Sequence, residues 1–178
     1  MKKKTILSVF IAVIFPFFVY AQGSIKTSFS EDWDNWTISV VGNKGSIKTS
    51  FSEDWDNWSY TIGGKSGKIR TKFNEDWDSW EVDGGDVTIK TAFSNDWDHW
   101  EIRSNGMVIQ AKAAFSNDWD HWELTGDLNL KIRTSFSNDW DNWSVDGDLS
   151  KVDEQVQIAV LFIPVFVSSI YNKGVHEK

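Results

Sequence analysis

Cysteine is absent from this 178-residue chain, which excludes disulfides and a lipid anchor on an N-terminal cysteine. Stability must then come from burial, and a chain of this size can bury a sizeable core. Glycine-rich phosphate loops, zinc-ligand spacing and G-x-S-x-G are missing too. Basic charge is in deficit, with 18 Lys and Arg against 26 Asp and Glu and a net charge of −8. A chain this acidic repels nucleic acid and anionic lipid, so no nucleic-acid partner is expected. Cationic partners, metal ions or neutral sugars fit better.

The start of the chain reads as an export signal. Met1 to Lys4 carry three lysines, an apolar run follows from Ile6 to Tyr20, and Val19 and Ala21 supply small residues for cleavage. Residues 1–21 are therefore expected to be a signal peptide, with the mature chain beginning at Gln22. Loss of the three lysines takes the formal charge from −8 to −11. The expected location is the periplasm, the cell surface or the exterior.

Residues 22–148 are dominated by repetition. IKTSFSEDWDNW stands at 25–36 and again at 47–58, and IRTKFNEDWDSW at 69–80. IKTAFSNDWDHW follows at 89–100, AKAAFSNDWDHW at 111–122 and IRTSFSNDWDNW at 132–143. All 12 tryptophans fall in these six units. Ile25, Thr27 and Phe29 alternate with Lys26 and Ser28, and Trp36, Ile38 and Val40 alternate with Thr37 and Ser39. Such period-two patterning marks a strand with one buried face, so each unit reads as a hairpin with its Ile, Phe and second Trp inside. In the third unit, Arg70 and Lys72 are expected near Glu81 and Asp83 across the hairpin. Glycines separate the units, and Asn105-Gly106 is a type I′ turn signal. Short turns at every strand end make an antiparallel meander of twelve strands, too short to cross an outer membrane.

Residues 149–178 break the pattern. Ser150 to Asp153 resemble a helix N-cap with an acid at the third helical position, and Ile158 to Val167 are apolar on every side. A buried helix is favoured over a membrane-associated tail, which Pro164, Gln157 and two serines weaken, and over a closing strand pair. If the chain meets a membrane at all, this segment makes the contact. The expected fold is all-β, a meander of six tandem hairpins of about 22 residues, curled or closed like a barrel. A C-terminal apolar helix would pack on its apolar face. A β-trefoil would repeat threefold in pairs, and a stacked solenoid would pile Asp32, Asp54 and Asp76 on one another, so both rank lower.

One polar constellation recurs, the D-W-D loop. Trp36, Trp58, Trp80, Trp100, Trp122 and Trp143 are in phase with the core. Trp33, Trp55, Trp77, Trp97, Trp119 and Trp140 are out of phase. They either fold back to cap the core or stand exposed beside Asp34, Asp56, Asp78, Asp98, Asp120 and Asp141. An exposed indole next to a carboxylate suits a sugar, whose C–H face stacks on the ring while its hydroxyls meet the acid. These twelve residues are the candidate ligand-binding set.

The aspartates also serve as turn formers. Calcium is the alternative ligand for D-x-D, although the loop has no glycine and no glutamate at the twelfth position of an EF-hand. No cofactor is otherwise expected. His99 and His121 stand where other units have Asn35, Asn57, Ser79 and Asn142, so they read as polar filler. Each loop acid recurs in six near-identical settings, whereas catalysis needs a pair with divergent environments. The chain is therefore expected to be non-enzymatic.

The hairpin-per-repeat plan and tryptophan content resemble choline- and glucan-binding cell-wall repeats, and the period resembles curli subunits. The glycine-aromatic opening of the first and the Gln/Asn spacing of the second are missing. Two functions compete: multivalent binding of a surface glycan or cell-wall polymer, and a self-associating structural component of the envelope or matrix.

Overall fold

The computed structural model describes residues 23–40, 42–137 and 139–175. The expected signal peptide lies outside the described residues. The chain forms a closed antiparallel barrel of twelve strands, each beside its sequence neighbours, with the first and last paired. The first three hairpins are β1 (Gly23–Thr27) and β2 (Asn35–Val40), β3 (Asn43–Thr49) and β4 (Asn57–Ile62), and β5 (Lys65–Thr71) and β6 (Ser79–Val82). The last three are β7 (Val87–Thr91) and β8 (His99–Ser104), β9 (Met107–Phe115) and β10 (Asp118–Gly126), and β11 (Leu130–Thr134) and β12 (Asn142–Asp146). The predicted meander thus closes on itself.

Closure follows from one side-chain pairing repeated around the barrel. Between hairpins, the core Trp of one unit lies opposite the first core residue of the next: Trp36 with Ile47, Trp58 with Ile69, Trp80 with Ile89. The seam between β12 and β1 reproduces it, with Trp143 opposite Ile25. Within each hairpin the Trp faces a small residue, Thr27 for Trp36 and Ala113 for Trp122, which leaves room for the indole. All six core indoles are at most 1% exposed. Burying one removes about 200 Å² from water, a gross gain of about 5 kcal/mol before chain entropy is counted.

An eight-stranded barrel is filled by its own side chains, but twelve strands enclose a wider space. Helix α1 (Glu154–Asn172) fills it. Its residues from Val156 to Ile170 are buried on every face. Phe162 meets Trp58 and Trp80 edge-on at 5.6 and 4.9 Å, and Phe166 meets Trp80 and Trp100 at 4.7 and 6.2 Å. The helix has the length and hydropathy of a bilayer span, yet 83% of that stretch is buried inside the protein.

The polar groups within α1 are those that fix it. Gln157 Nε2 donates to the carbonyls of Leu149 and Val152 at 3.0 Å. The Ser169 hydroxyl lies 2.7 Å from the Trp33 carbonyl and accepts from Trp36 Nε1 at 3.1 Å.

Three local expectations are corrected. The N-cap of α1 is Asp153, which accepts from Val156 N at 2.9 Å, and not Ser150; Ser150 sits in a preceding 3-10 turn capped by Asp148. Arg70 does face Glu81, with Nε 3.6 Å from Oε1, but Lys72 does not reach Asp83. In that antiparallel register Lys68 lies beside Asp83 and donates its backbone N–H to Oδ1 at 2.8 Å. The largest correction concerns Phe29, Phe51, Phe73, Phe93, Phe115 and Phe136, which were expected inside and are 64–77% exposed. In five units the strand has ended before this residue, as where Phe29 O already accepts Asp32 N at 3.0 Å in a turn, and Phe115 is the last residue of β9 beside a bulge, so alternation no longer dictates its side. The Asn105-Gly106 turn is as predicted, with φ of 47° and 84° between paired Ser104 and Met107.

Candidate functional site: the six-loop rim

In a closed meander every hairpin turn of the same kind emerges at the same end. All six D-W-D loops therefore gather on one rim, next to the C-terminal end of α1. Each loop opens with the turn from Phe to the first aspartate. The residue before that aspartate takes a left-handed conformation although it is not glycine: Glu31, Glu53, Glu75, Asn95 and Asn117 have φ between 56° and 61°. Such a conformation is uphill for a side-chain-bearing residue and needs outside support.

The neighbouring unit supplies that support. The second aspartate of D-W-D reaches forward to the next loop in five units, from Asp34, Asp56, Asp78, Asp98 and Asp141. Asp56 accepts Glu75 N at 3.0 Å and Trp77 Nε1 at 2.7 Å. Asp78 accepts Ser94 Oγ at 3.0 Å and Asn95 N at 2.8 Å. Asp98 accepts Ser116 Oγ at 2.9 Å, Asn117 N at 3.1 Å and Trp119 Nε1 at 2.7 Å. Asp34 accepts Ser52 Oγ at 3.3 Å. Across the seam, Asp141 Oδ2 lies 3.5 Å from Glu31 N, so the chain of carboxylate latches runs from the sixth unit into the first. The first aspartate works inside its own loop, as when Asp96 accepts Asp98 N at 3.1 Å and meets His99 Nδ1 at 3.1 Å.

The loop indoles turn inward over the barrel end. Trp33 and Trp55 are buried, and Trp77, Trp97, Trp119 and Trp140 are partly buried against the core. Ring centroids of Trp77 and Trp97, Trp97 and Trp119, and Trp119 and Trp140 are 6.2, 6.3 and 6.2 Å apart. Tyr171 stacks on Trp140 at 4.8 Å, so the end of α1 joins the layer. In five of the six units the loop Trp carbonyl accepts the core indole three residues later, as from Trp36 to Trp33 at 3.0 Å and Trp80 to Trp77 at 2.7 Å. Trp122 Nε1 has no such partner; its hairpin alone carries a bulge, between Asp118 and Trp122. Of the two readings of the out-of-phase tryptophans, the capping one describes their position.

Between the third and fourth loops the layer leaves a cavity of about 230 Å³ lined by Glu75, Asp76, Trp77, Asp78, Asn95, Trp97 and Val175. Three of the candidate ligand-binding residues, Trp77, Asp78 and Trp97, share this cavity. Trp33, Asp34, Trp55, Asp56, Asp98, Trp119, Asp120, Trp140 and Asp141 belong to the same rim but not to its wall. Among the described residues, no group of three or more His, Cys, Asp or Glu side chains could hold a metal ion.

What sequence reasoning missed is the outermost aromatic layer. The exposed phenylalanines each precede a polar run, as in Phe29-Ser30-Glu31 and Phe93-Ser94-Asn95, and four of the six also follow a polar residue. The signal was that polar setting, which suits a turn apex better than a core strand. By fold and site this is a closed β-barrel of six tryptophan-rich hairpins holding an internal helix, with a rim of six equivalent aromatic and acidic loops. No family model, curated protein or solved structure matches the chain.

Proposed function

We propose that this protein is an exported, non-enzymatic, multivalent binding module for a surface glycan or cell-wall polymer, engaged through the loop rim. The observation that carries the reading is the gathering of six copies of one aromatic and acidic loop on a single end of a closed barrel. Six weak contacts on one rigid frame reinforce each other, because after the first is made the rest bind at high effective concentration. The cavity between Trp77 and Trp97 adds a place where a sugar ring can meet two indoles and several carboxylates.

The rim acids support a non-catalytic role, since most of them accept hydrogen bonds from a neighbouring loop or their own and so maintain shape. The alternative, a self-associating structural component, would associate through free sheet edges or an exposed apolar tail. It takes no support from a barrel with both edges paired and α1 enclosed.

Retention of the mature chain on insoluble cell-wall and polysaccharide fractions tests the proposal. Binding is expected to change the emission of the partly buried rim tryptophans. A chain that passes every such fraction unretained, with unchanged emission, would sink it.

A further inference from the structure

The six exposed phenylalanines point to a more specific target. We infer that they form a flat contact crown for the face of an insoluble, uncharged polysaccharide; this rests on the glycan-binding reading above and names its target class and contact residues.

Planarity follows from closure. Outside the bulge between Asp118 and Trp122 the six units share one pairing register, and the operation carrying each onto the next returns to the start after six steps. An operation that closes has no net translation along the barrel axis, so equivalent atoms lie on one circle perpendicular to it. With strands about 4.8 Å apart and tilted by about 40°, neighbouring rings sit about 12 Å apart on a circle about 24 Å across. A single soluble chain would have to bend round that circle to visit all six. A flat face meets them together.

Charge and chemistry narrow the face further. Phenylalanine offers an apolar ring with no polar handle, which suits the C–H face of a pyranose. Each ring is followed by an exposed Ser or Asn, such as Ser30 or Asn74, which can hydrogen-bond to sugar hydroxyls. Glu31, Glu53 and Glu75 are exposed in the same loops, whereas Lys72 is the sole Lys or Arg, beside His99 and His121, from the end of the first strand to the second Trp of any unit. That rim repels phosphate-bearing polymers and anionic lipid, and it repels a second copy of itself. A lipid surface would also bring these carboxylates among headgroup phosphates with almost no basic residue to meet them.

The experiment uses the full mature chain, a variant with Phe29, Phe73 and Phe115 changed to Ser, and one with all six phenylalanines changed to Ser. Each is tested on microcrystalline cellulose and chitin, on soluble oligosaccharides of the same sugars, and on phosphatidylcholine vesicles. The parent chain is expected to be retained on at least one solid and to bind the matching soluble hexamer at least a hundredfold more weakly. Three substitutions should cut retention more than tenfold and six should abolish it, with the near-ultraviolet dichroism of the tryptophan core unchanged. The comparison of solid with soluble ligand uses the parent chain alone, so it decides even if a variant misfolds.

Equal affinity for solid and soluble sugar overturns the crown, as does vesicle binding without retention on either solid. Retention that survives the sixfold change also overturns it. That last result leaves glycan binding standing and returns the contact to the cavity at Trp77 and Trp97. Binding to no sugar in any form removes both inferences.

Discussion

Phe29 and Trp36 lie seven residues apart in one repeat and meet opposite fates, one exposed and one sealed in the core. Alternation predicts Trp36 because the backbone from Asn35 to Val40 is extended, and it fails for Phe29 because the chain is already turning there. The loop aspartates show a second limit of the sequence. Their type and spacing announce turn formation, but their forward reach to the next unit depends on how units sit side by side. Asp98 and Phe93 make a direct comparison. Asp98→Ala removes the acceptor of three donors in the following loop and is expected to cost about 2–3 kcal/mol. Phe93 is 71% exposed, so Phe93→Ser should stay within about 0.5 kcal/mol of the parent. Urea denaturation measures both. If Asp98→Ala is no worse than Phe93→Ser, the latches do not hold the rim together.

At the scale of elements, the strands were readable from period-two patterning and their turns from glycine and Asn-Gly chemistry. The helix was readable from ten consecutive apolar residues, Ile158 to Val167, that no sheet face could absorb. Its starting point was misread because Ser150 and Asp153 both carry capping side chains. The structure uses both capping motifs in succession, a 3-10 turn from Leu149 to Lys151 and then α1 from Glu154. Enclosing α1 gives it a structural duty that a surface helix would lack. A barrel this wide without its helix would leave the lining indoles facing water or a void, and cavity costs grow with volume. A chain ending after Asp148 is therefore expected to lose its near-ultraviolet dichroism and its cooperative thermal transition. A sharp melt within a few degrees of the full-length protein would mean that the sheet closes and packs unaided.

For the molecule as a whole, the sequence left open whether the meander curls or closes. The near identity of the first and last units made closure chemically consistent, since Ile25 can face Trp143 as Ile47 faces Trp36. Curvature, however, is a property of all twelve strands together and no single repeat displays it. Closure concentrates attention on the seam, where Asp141 O accepts Thr27 N at 2.9 Å and Asp141 Oδ2 faces Glu31 N. There the Asp139 and Asp141 carboxyls are joined by a hydrogen bond. The hydrogen bond with Asp141, then burial and the nearby negative charge, raise Asp139 to about 6, while the same hydrogen bond holds Asp141 below the usual carboxylate range against the opposing effect of burial.

Unfolded, each titrates near about 3.9. From about pH 4 to 6 the folded chain keeps a proton on Asp139 that the unfolded chain has released, so stability falls as pH rises through that window. Asp141 acts in the opposite sense, stabilising above its unfolded value and losing that contribution as pH falls through its depressed folded one. Asp139→Asn supplies a neutral donor to Asp141 at every pH. It should therefore raise the melting midpoint clearly at pH 7 and hardly at all at pH 4. A variant that shifts the midpoint equally at both values would show that Asp139 does not hold its proton above the ordinary carboxylate range at the seam.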